Sequence, residues 1–172
     1  MTYSQELDNN SNRTIKLKLY QNVENVPTLR QQIMNRKLNC CIIKPSLVFH
    51  PFQVVVAANK AVVADKITTK TIYTEILFNL SLSKNITQSL QKYGIEDGES
   101  ELLVAVIDKN DCSSTLEDVC SHINGDEIDI SQLSELRNMT EIQKAYKLSD
   151  VESKDDYILN SIVTKIASKD FI

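Results

Sequence analysis

A chain of 172 residues, 42% hydrophobic and 24% charged with only three glycines and three prolines, has the composition of one soluble globular domain. That composition excludes collagenous and low-complexity classes, and this length is enough to bury about two thirds of the unfolded surface. Net charge is −4 but unevenly spread: residues 1–93 hold twelve Lys or Arg against five Asp or Glu, and residues 94–135 hold one Lys against twelve Asp or Glu. The asymmetry predicts a basic face able to meet phosphate and a separate acidic face.

Residues 1–12 read as a flexible N-terminus and residues 13–172 as a single domain. Residues 14–20 alternate, which predicts a half-exposed strand with Ile15, Leu17 and Leu19 inward and Lys16 and Lys18 outward. Pro27 suits the first turn of a helix over 27–37, with Val26, Leu29 and Ile33 on one side. Cys40-Cys41-Ile42-Ile43 reads as a short buried strand stopped by Pro45.

Pro51 then opens a helix, because thirteen residues from Phe52 to Ala64 follow without Gly or Pro. A bilayer span needs about twenty apolar residues, and Gln53, Asn59 and Lys60 interrupt this one. The expectation is a largely buried helix ending near Lys66, with one exposed strip at Asn59 and Lys60, and no membrane partner.

A second helix is expected over 71–80 from Ile72, Ile76 and Leu80, and a third from Asn85, whose side chain caps it with Gln88 at the capping-box position. Gly94 is expected to end that helix in the left-handed conformation. Residues 102–107 are apolar on both faces and therefore a central strand. Thr115 is expected to cap a helix carrying Leu116, Val119, Cys120 and Ile123, closed by Gly125. A short strand near Ile128 and short helices fill 126–150. Ser153-Lys154-Asp155-Asp156 reads as a capping box for a final helix with Ile158, Ile162 and Ile166 on one line and Leu159, Val163 and Ala167 on the next. The class is α+β, a small mostly antiparallel sheet packed with several helices and no regular βαβ repeat.

Catalytic signatures are missing. Gly94, Gly98 and Gly125 make no phosphate loop, His50 and His122 have no ligand spacing, and no GxSxG occurs. Cys40, Cys41, Cys112 and Cys120 lack CxxC spacing and read as reduced, mostly buried thiols of an intracellular protein. No secretory signal is expected from Met1-Thr2-Tyr3-Ser4-Gln5. The expectation is therefore no enzyme, no metal and no cofactor.

Several separated stretches carry a resemblance. They are Pro51-Phe52-Gln53-Val54-Val55-Val56-Ala57-Ala58-Asn59-Lys60-Ala61, Thr74-Glu75-Ile76-Leu77-Phe78-Asn79-Leu80-Ser81, Asn138-Met139-Thr140-Glu141-Ile142, Lys92-Tyr93-Gly94-Ile95 and Ser168-Lys169-Asp170-Phe171-Ile172. Together they resemble the PRPK-binding protein (TPRKB) family, the small kinase-associated subunit of the KEOPS (EKC) complex. The resemblance implies a non-catalytic subunit of the nucleus and cytoplasm. Its partners would be a PRPK-type atypical protein kinase, the remaining KEOPS subunits through that kinase, and tRNA. The complex makes threonylcarbamoyladenosine in tRNAs that read ANN codons, and archaeal relatives grip the tRNA 3′ CCA end. Where archaeal members often read Ser-Gly-Thr-Arg-Gln-Ile, this chain has Ser81-Leu82-Ser83-Lys84-Asn85-Ile86. Lysine keeps the charge but loses the planar fork of arginine, which implies weaker tRNA binding.

Two surfaces follow. The wide apolar set of the final helix, Ile158, Leu159, Ile162, Val163 and Ile166, is the expected kinase contact. Asn59, Lys60, Lys66, Lys70, Lys84 and Asn85 form the expected tRNA contact. The alternative function is a stand-alone RNA-binding module, motivated by the basic amino-terminal half.

Overall fold

The computed structural model describes residues 2–109 and 114–171. In chain order the elements are β1 (Tyr3–Glu6), β2 (Arg13–Gln21), α1 (Val26–Met34), β3 (Cys41–Ile43), α2 (Pro51–Val63), α3 (Ile72–Leu80), α4 (Ile86–Tyr93), β4 (Leu102–Lys109), α5 (Ser114–Ser121), β5 (Asp126–Ile128), α6 (Leu133–Leu136), α7 (Met139–Ala145) and α8 (Ile158–Ala167). Short 3-10 turns occur at Pro45–Leu47, Ile130–Gln132 and Lys169–Phe171. The class is α+β.

The strands form one antiparallel sheet in the order β1-β2-β4-β3, with β5 also paired to β2. β4 is internal, as its apolar sequence requires, and pairs with β2 from Leu102 opposite Tyr20 to Lys109 opposite Arg13. Within the segment read as a flexible terminus, Tyr3–Glu6 pairs with residues 14–17 of β2.

Each face of the sheet supports its own core. Ile15, Leu17, Leu19, Leu103 and Ala105 are buried beneath α2, α3 and α8. Leu102, Val104, Val106 and Tyr20 are buried beneath α1 and α5. The second layer explains why Lys16 and Lys18 point to a face that is not simply solvent. Lys16 lies 3.1 Å from the enclosed Asp108 carboxylate, an ion pair without hydrogen-bond geometry, and Lys18 reaches Glu127 at 3.0 Å.

α2 forms the spine of the first core. Val54, Val55, Ala57, Ala58 and Ala61 are buried, and full burial of one valine contributes roughly 1.5 kcal/mol or more. Gln53, also fully buried, keeps its hydrogen bonds: its amide donates to the Leu47 carbonyl at 3.1 Å and to the Tyr146 hydroxyl at 2.7 Å, and its oxygen accepts from the Phe49 amide at 2.9 Å. The Tyr146 hydroxyl donates in turn to the Leu80 carbonyl at 2.7 Å, and its ring meets Tyr93 edge-on at 6.2 Å.

Several element ends differ from expectation. α1 stops at Met34 and not at 37, because Arg36 turns left-handed at φ 58° and the amides of Arg36 and Lys37 close back on Ile33 and Gln32. α2 stops at Val63, where Ala64 is extended. Gly94 does end α4, but with φ −75°; glycine fits because a Cβ there would lie 2.5 Å from the Leu90 carbonyl oxygen. α5 ends at Ser121, before Gly125, and Thr115 lies inside it and not at its cap. α8 begins at Ile158 after Tyr157, which gives no side-chain cap; Ser153 instead bonds back to the Ser149 carbonyl at 2.8 Å, so the expected capping box is not formed. Cys112 falls outside the described residues.

Candidate functional site

The apolar lines of α8 separate cleanly. Ile158, Ile162 and Ile166 repeat at i, i+4 and i+8 and are at most 1% exposed, packed in the core shared with α2. They have no surface left for a partner and act only through the helix they hold in place. Leu159 and Val163, on the neighbouring line, are half-buried. On α2, Phe52 is 40% exposed, Val63 is 51% exposed, and Val56 is half-buried between them. Two packed helices therefore retain apolar side chains that the core does not consume.

Amide groups at the start of α2 are satisfied by neighbours that the sequence did not signal. His50 Nδ1 accepts from the Phe52 amide at 3.0 Å, so the ring is neutral at that nitrogen. Burial first, and the nearby Arg137 charge second, push its pKa down. Arg137 lies 4.2 Å over the Phe49 ring and donates to the Phe49 carbonyl at 2.9 Å. His122 is occupied with the Asp118 carbonyl, 2.8 Å from its Nδ1.

The expected basic site divides into fixed and exposed members. Asn59 accepts the Asp8 amide at 2.8 Å, and Lys60 donates to the Ile166 carbonyl at 3.0 Å and pairs with Asp170 at 3.1 Å. The strip once expected to be exposed thus ties α2 to the first hairpin and to the end of α8. Lys66 and Lys70 are exposed on the loop before α3. Glu75, 5% exposed, shapes that loop: its carboxylate accepts from the Thr68 and Thr69 amides and from the Thr69 hydroxyl at 2.8–3.1 Å. Thr71 closes a capping box with Thr74 at the start of α3. Asn85 caps α4 through the Gln88 amide at 3.0 Å, with exposed Lys84 just before it.

Lys169 is the residue that sequence reasoning missed. It is 2% exposed, donates to the Phe78 carbonyl and lies 3.3 Å over the Phe78 ring. Its pKa is pushed down to about 8 by burial and then by Lys60, with Lys84 in the same direction and Asp170 and Glu75 opposing. Lys169 sits in the same short turn as Asp170, the partner of Lys60, so these two lysines are neighbours. Nothing in a single lysine three residues from the end of the sequence signals burial.

The family model for kinase binding protein CGI-121 matches residues 20–170. This chain belongs to the kinase binding protein CGI-121 family. It is 32% identical to the EKC/KEOPS complex subunit TPRKB of Danio rerio over 173 residues, covering 99% of each chain. It is also 32% identical to the EKC/KEOPS complex subunit cgi121 of Aspergillus fumigatus over 153 residues, covering 83% of this chain and 80% of that one. It is 24% identical to the EKC/KEOPS complex subunit CGI121 of Candida glabrata over 160 residues, covering 88% of this chain and 90% of that one.

In this CGI-121 chain most of the stretches that carried the resemblance feed the first core, while Ile95 belongs to the second. Residues 51–61 lie in α2, residues 74–80 in α3, and Asn138 caps α7 through the Glu141 amide at 3.2 Å while its own amide donates to the Ser46 carbonyl. Residues 92–95 carry the bridge from Gly94 to Ile43. Beside them, a groove of about 460 Å³ is lined by Lys44, Gln88, Gln91, Lys92, Glu96 and Glu141. Lys44 reaches Glu96 at 3.5 Å, so charges of both signs face that groove. Among the described residues, no three His, Cys, Asp or Glu side chains gather to hold a metal, and no helix is long and apolar enough to cross a membrane.

Proposed function

We propose that this chain is a non-catalytic subunit of an EKC/KEOPS complex. It binds a PRPK-type atypical protein kinase, joins the remaining subunits through that kinase, and supports threonylcarbamoyladenosine modification of tRNAs reading ANN codons in the nucleus and cytoplasm. The observation that carries the reading is the family match across residues 20–170, with a subunit relative aligned along 99% of the chain. The kinase docks on the outer surfaces of α2 and α8, through Phe52, Val63, Leu159 and Val163. Their exposed or half-buried state supports this choice, because side chains already buried cannot contribute new apolar burial to an interface. The complex is reconstituted with and without this chain, and threonylcarbamoyladenosine is measured in a tRNA reading ANN codons. Modification falls without the chain; an undiminished level contradicts the reading.

Exposed Lys66, Lys70 and Lys84 favour a further contact with the tRNA 3′ end. As a stand-alone RNA-binding module, the isolated chain would bind tRNA with affinity falling steeply with salt. Absence of binding at low salt eliminates that second reading.

A further inference from the structure

The capping box expected at 153–156 is not formed, and the box that does form lies four residues earlier. The Ser149 amide donates to Glu152 Oε2 at 2.8 Å, and the Glu152 amide donates to Ser149 Oγ at 3.3 Å. Residues 146–157 join α7 to α8 without helix or strand. The carboxylates of Asp150, Asp155 and Asp156 are exposed there and, among the described residues, make no hydrogen bond or ion pair. Two serines share the segment, and their hydroxyls differ. Ser153 is half-buried and donates to the Ser149 carbonyl at 2.8 Å, so its proton is engaged. Ser149 is exposed; its hydroxyl accepts the long bond from Glu152 and, among the described residues, donates to nothing. Counted from Ser149, acidic side chains stand at +1, +3, +6 and +7.

A cation is already fixed beside that hydroxyl. Lys165 of α8 donates to the Tyr146 and Lys147 carbonyls at 2.9 and 3.0 Å and reaches Glu152 Oε2 at 3.3 Å. One carboxylate oxygen therefore touches both the Ser149 amide and the Lys165 ammonium. Glu152 and Lys165 also line a groove of about 230 Å³ with Asn160, Ser161 and Thr164, which leaves room for a phosphoryl group.

We propose that Ser149 is a phosphorylation site for an acidophilic Ser/Thr protein kinase, one that reads carboxylates C-terminal to the acceptor, and that Lys165 holds the phosphate. The γ-phosphoryl group of ATP passes to Ser149 Oγ. A P–O bond forms there as the bond from Pγ to the bridging oxygen of ADP breaks, and the hydroxyl proton leaves to the general base of the kinase. Opening the segment breaks no regular element, and Val151 within it is already 62% exposed. Once attached, the phosphate carries nearly two negative charges and competes with the single charge of Glu152 for the ammonium. The inference does not rest on the kinase contact proposed above, which uses Leu159 and Val163.

The test is incubation of the full chain with casein kinase 2 and ATP, with the phosphate located by mass spectrometry. Wild type and Ser153→Ala take one phosphate on Ser149, Ser149→Ala takes none in this segment, and Asp150→Asn/Glu152→Gln loses most of the rate. No incorporation, or incorporation on Ser153 in place of Ser149, overturns the proposal, and an undiminished rate in Asp150→Asn/Glu152→Gln overturns the kinase class. Phosphorus NMR of the modified chain then reads the phosphate's second pKa, ordinarily about 6. Lys165→Gln, folded by its melting curve, raises it, and Lys165→Arg keeps it; an unchanged titration in Lys165→Gln overturns the Lys165 contact.

Discussion

Gln53 and Tyr146 stand 93 positions apart in sequence and share a 2.7 Å hydrogen bond inside the core. That bond joins the first turns of α2 to the end of α7, and Tyr146 passes the connection on to the last carbonyl of α3. Tyr146→Phe leaves the Leu80 carbonyl without this donor and takes one partner from Gln53, at a cost of about 1–3 kcal/mol. Urea unfolding measures it as a lowered midpoint with an unchanged slope.

α1 and α7 end in the same way. Arg36 and Lys147 hold φ of 58° and 50°, and the following amides close on the carbonyls of Gln32 and Gln143. Both are Schellman endings with a side chain where glycine is least strained. Arg36→Gly and Lys147→Gly each raise stability by up to about 1 kcal/mol. The check is the denaturation midpoint; a fall at both positions contradicts the assignment.

These endings show what the sequence left unreadable. Strand period in 14–20, the continuous apolar run of 102–107, and the Pro-opened, Gly-free run of 51–63 follow from local pattern, and the structure forms each of them. A Schellman ending without glycine has no such pattern, so α1 read three residues too long. The box at 153–156 was legible but unused, because packing of Ile158, Ile162 and Ile166 against the core sets where α8 starts. Among the expected site residues, Lys60 looked exposed because its partners, Ile166 and Asp170, lie more than a hundred positions away.

His50 makes the start of α2 sensitive to acid. A histidine whose native pKa lies below its unfolded value of about 6.5 stabilises the fold above that value. The stability is lost as pH falls through the lowered native pKa, because protonated Nδ1 cannot accept from Phe52. The thermal midpoint of wild type is expected to fall below about pH 6.5, while His50→Asn, which caps without titrating, flattens that part of the profile.

Core and surface positions of α8 separate in stability. Ile162→Ala costs about 2–5 kcal/mol because it empties part of the core. Val163→Lys, on the half-buried line, keeps its long apolar stem against the helix and costs far less. Parallel melting curves of the two variants give the comparison, and equal losses contradict the division of the two lines.

Kinase binding is the central claim, and isothermal titration of this chain into a PRPK-type kinase measures it most directly. Wild type is predicted to bind, and Leu159→Lys/Val163→Lys, folded by its melting curve, is predicted to lose most of that affinity. Absence of heat with wild type contradicts the account, and an unchanged affinity in the folded double variant contradicts the placement of the interface on α8.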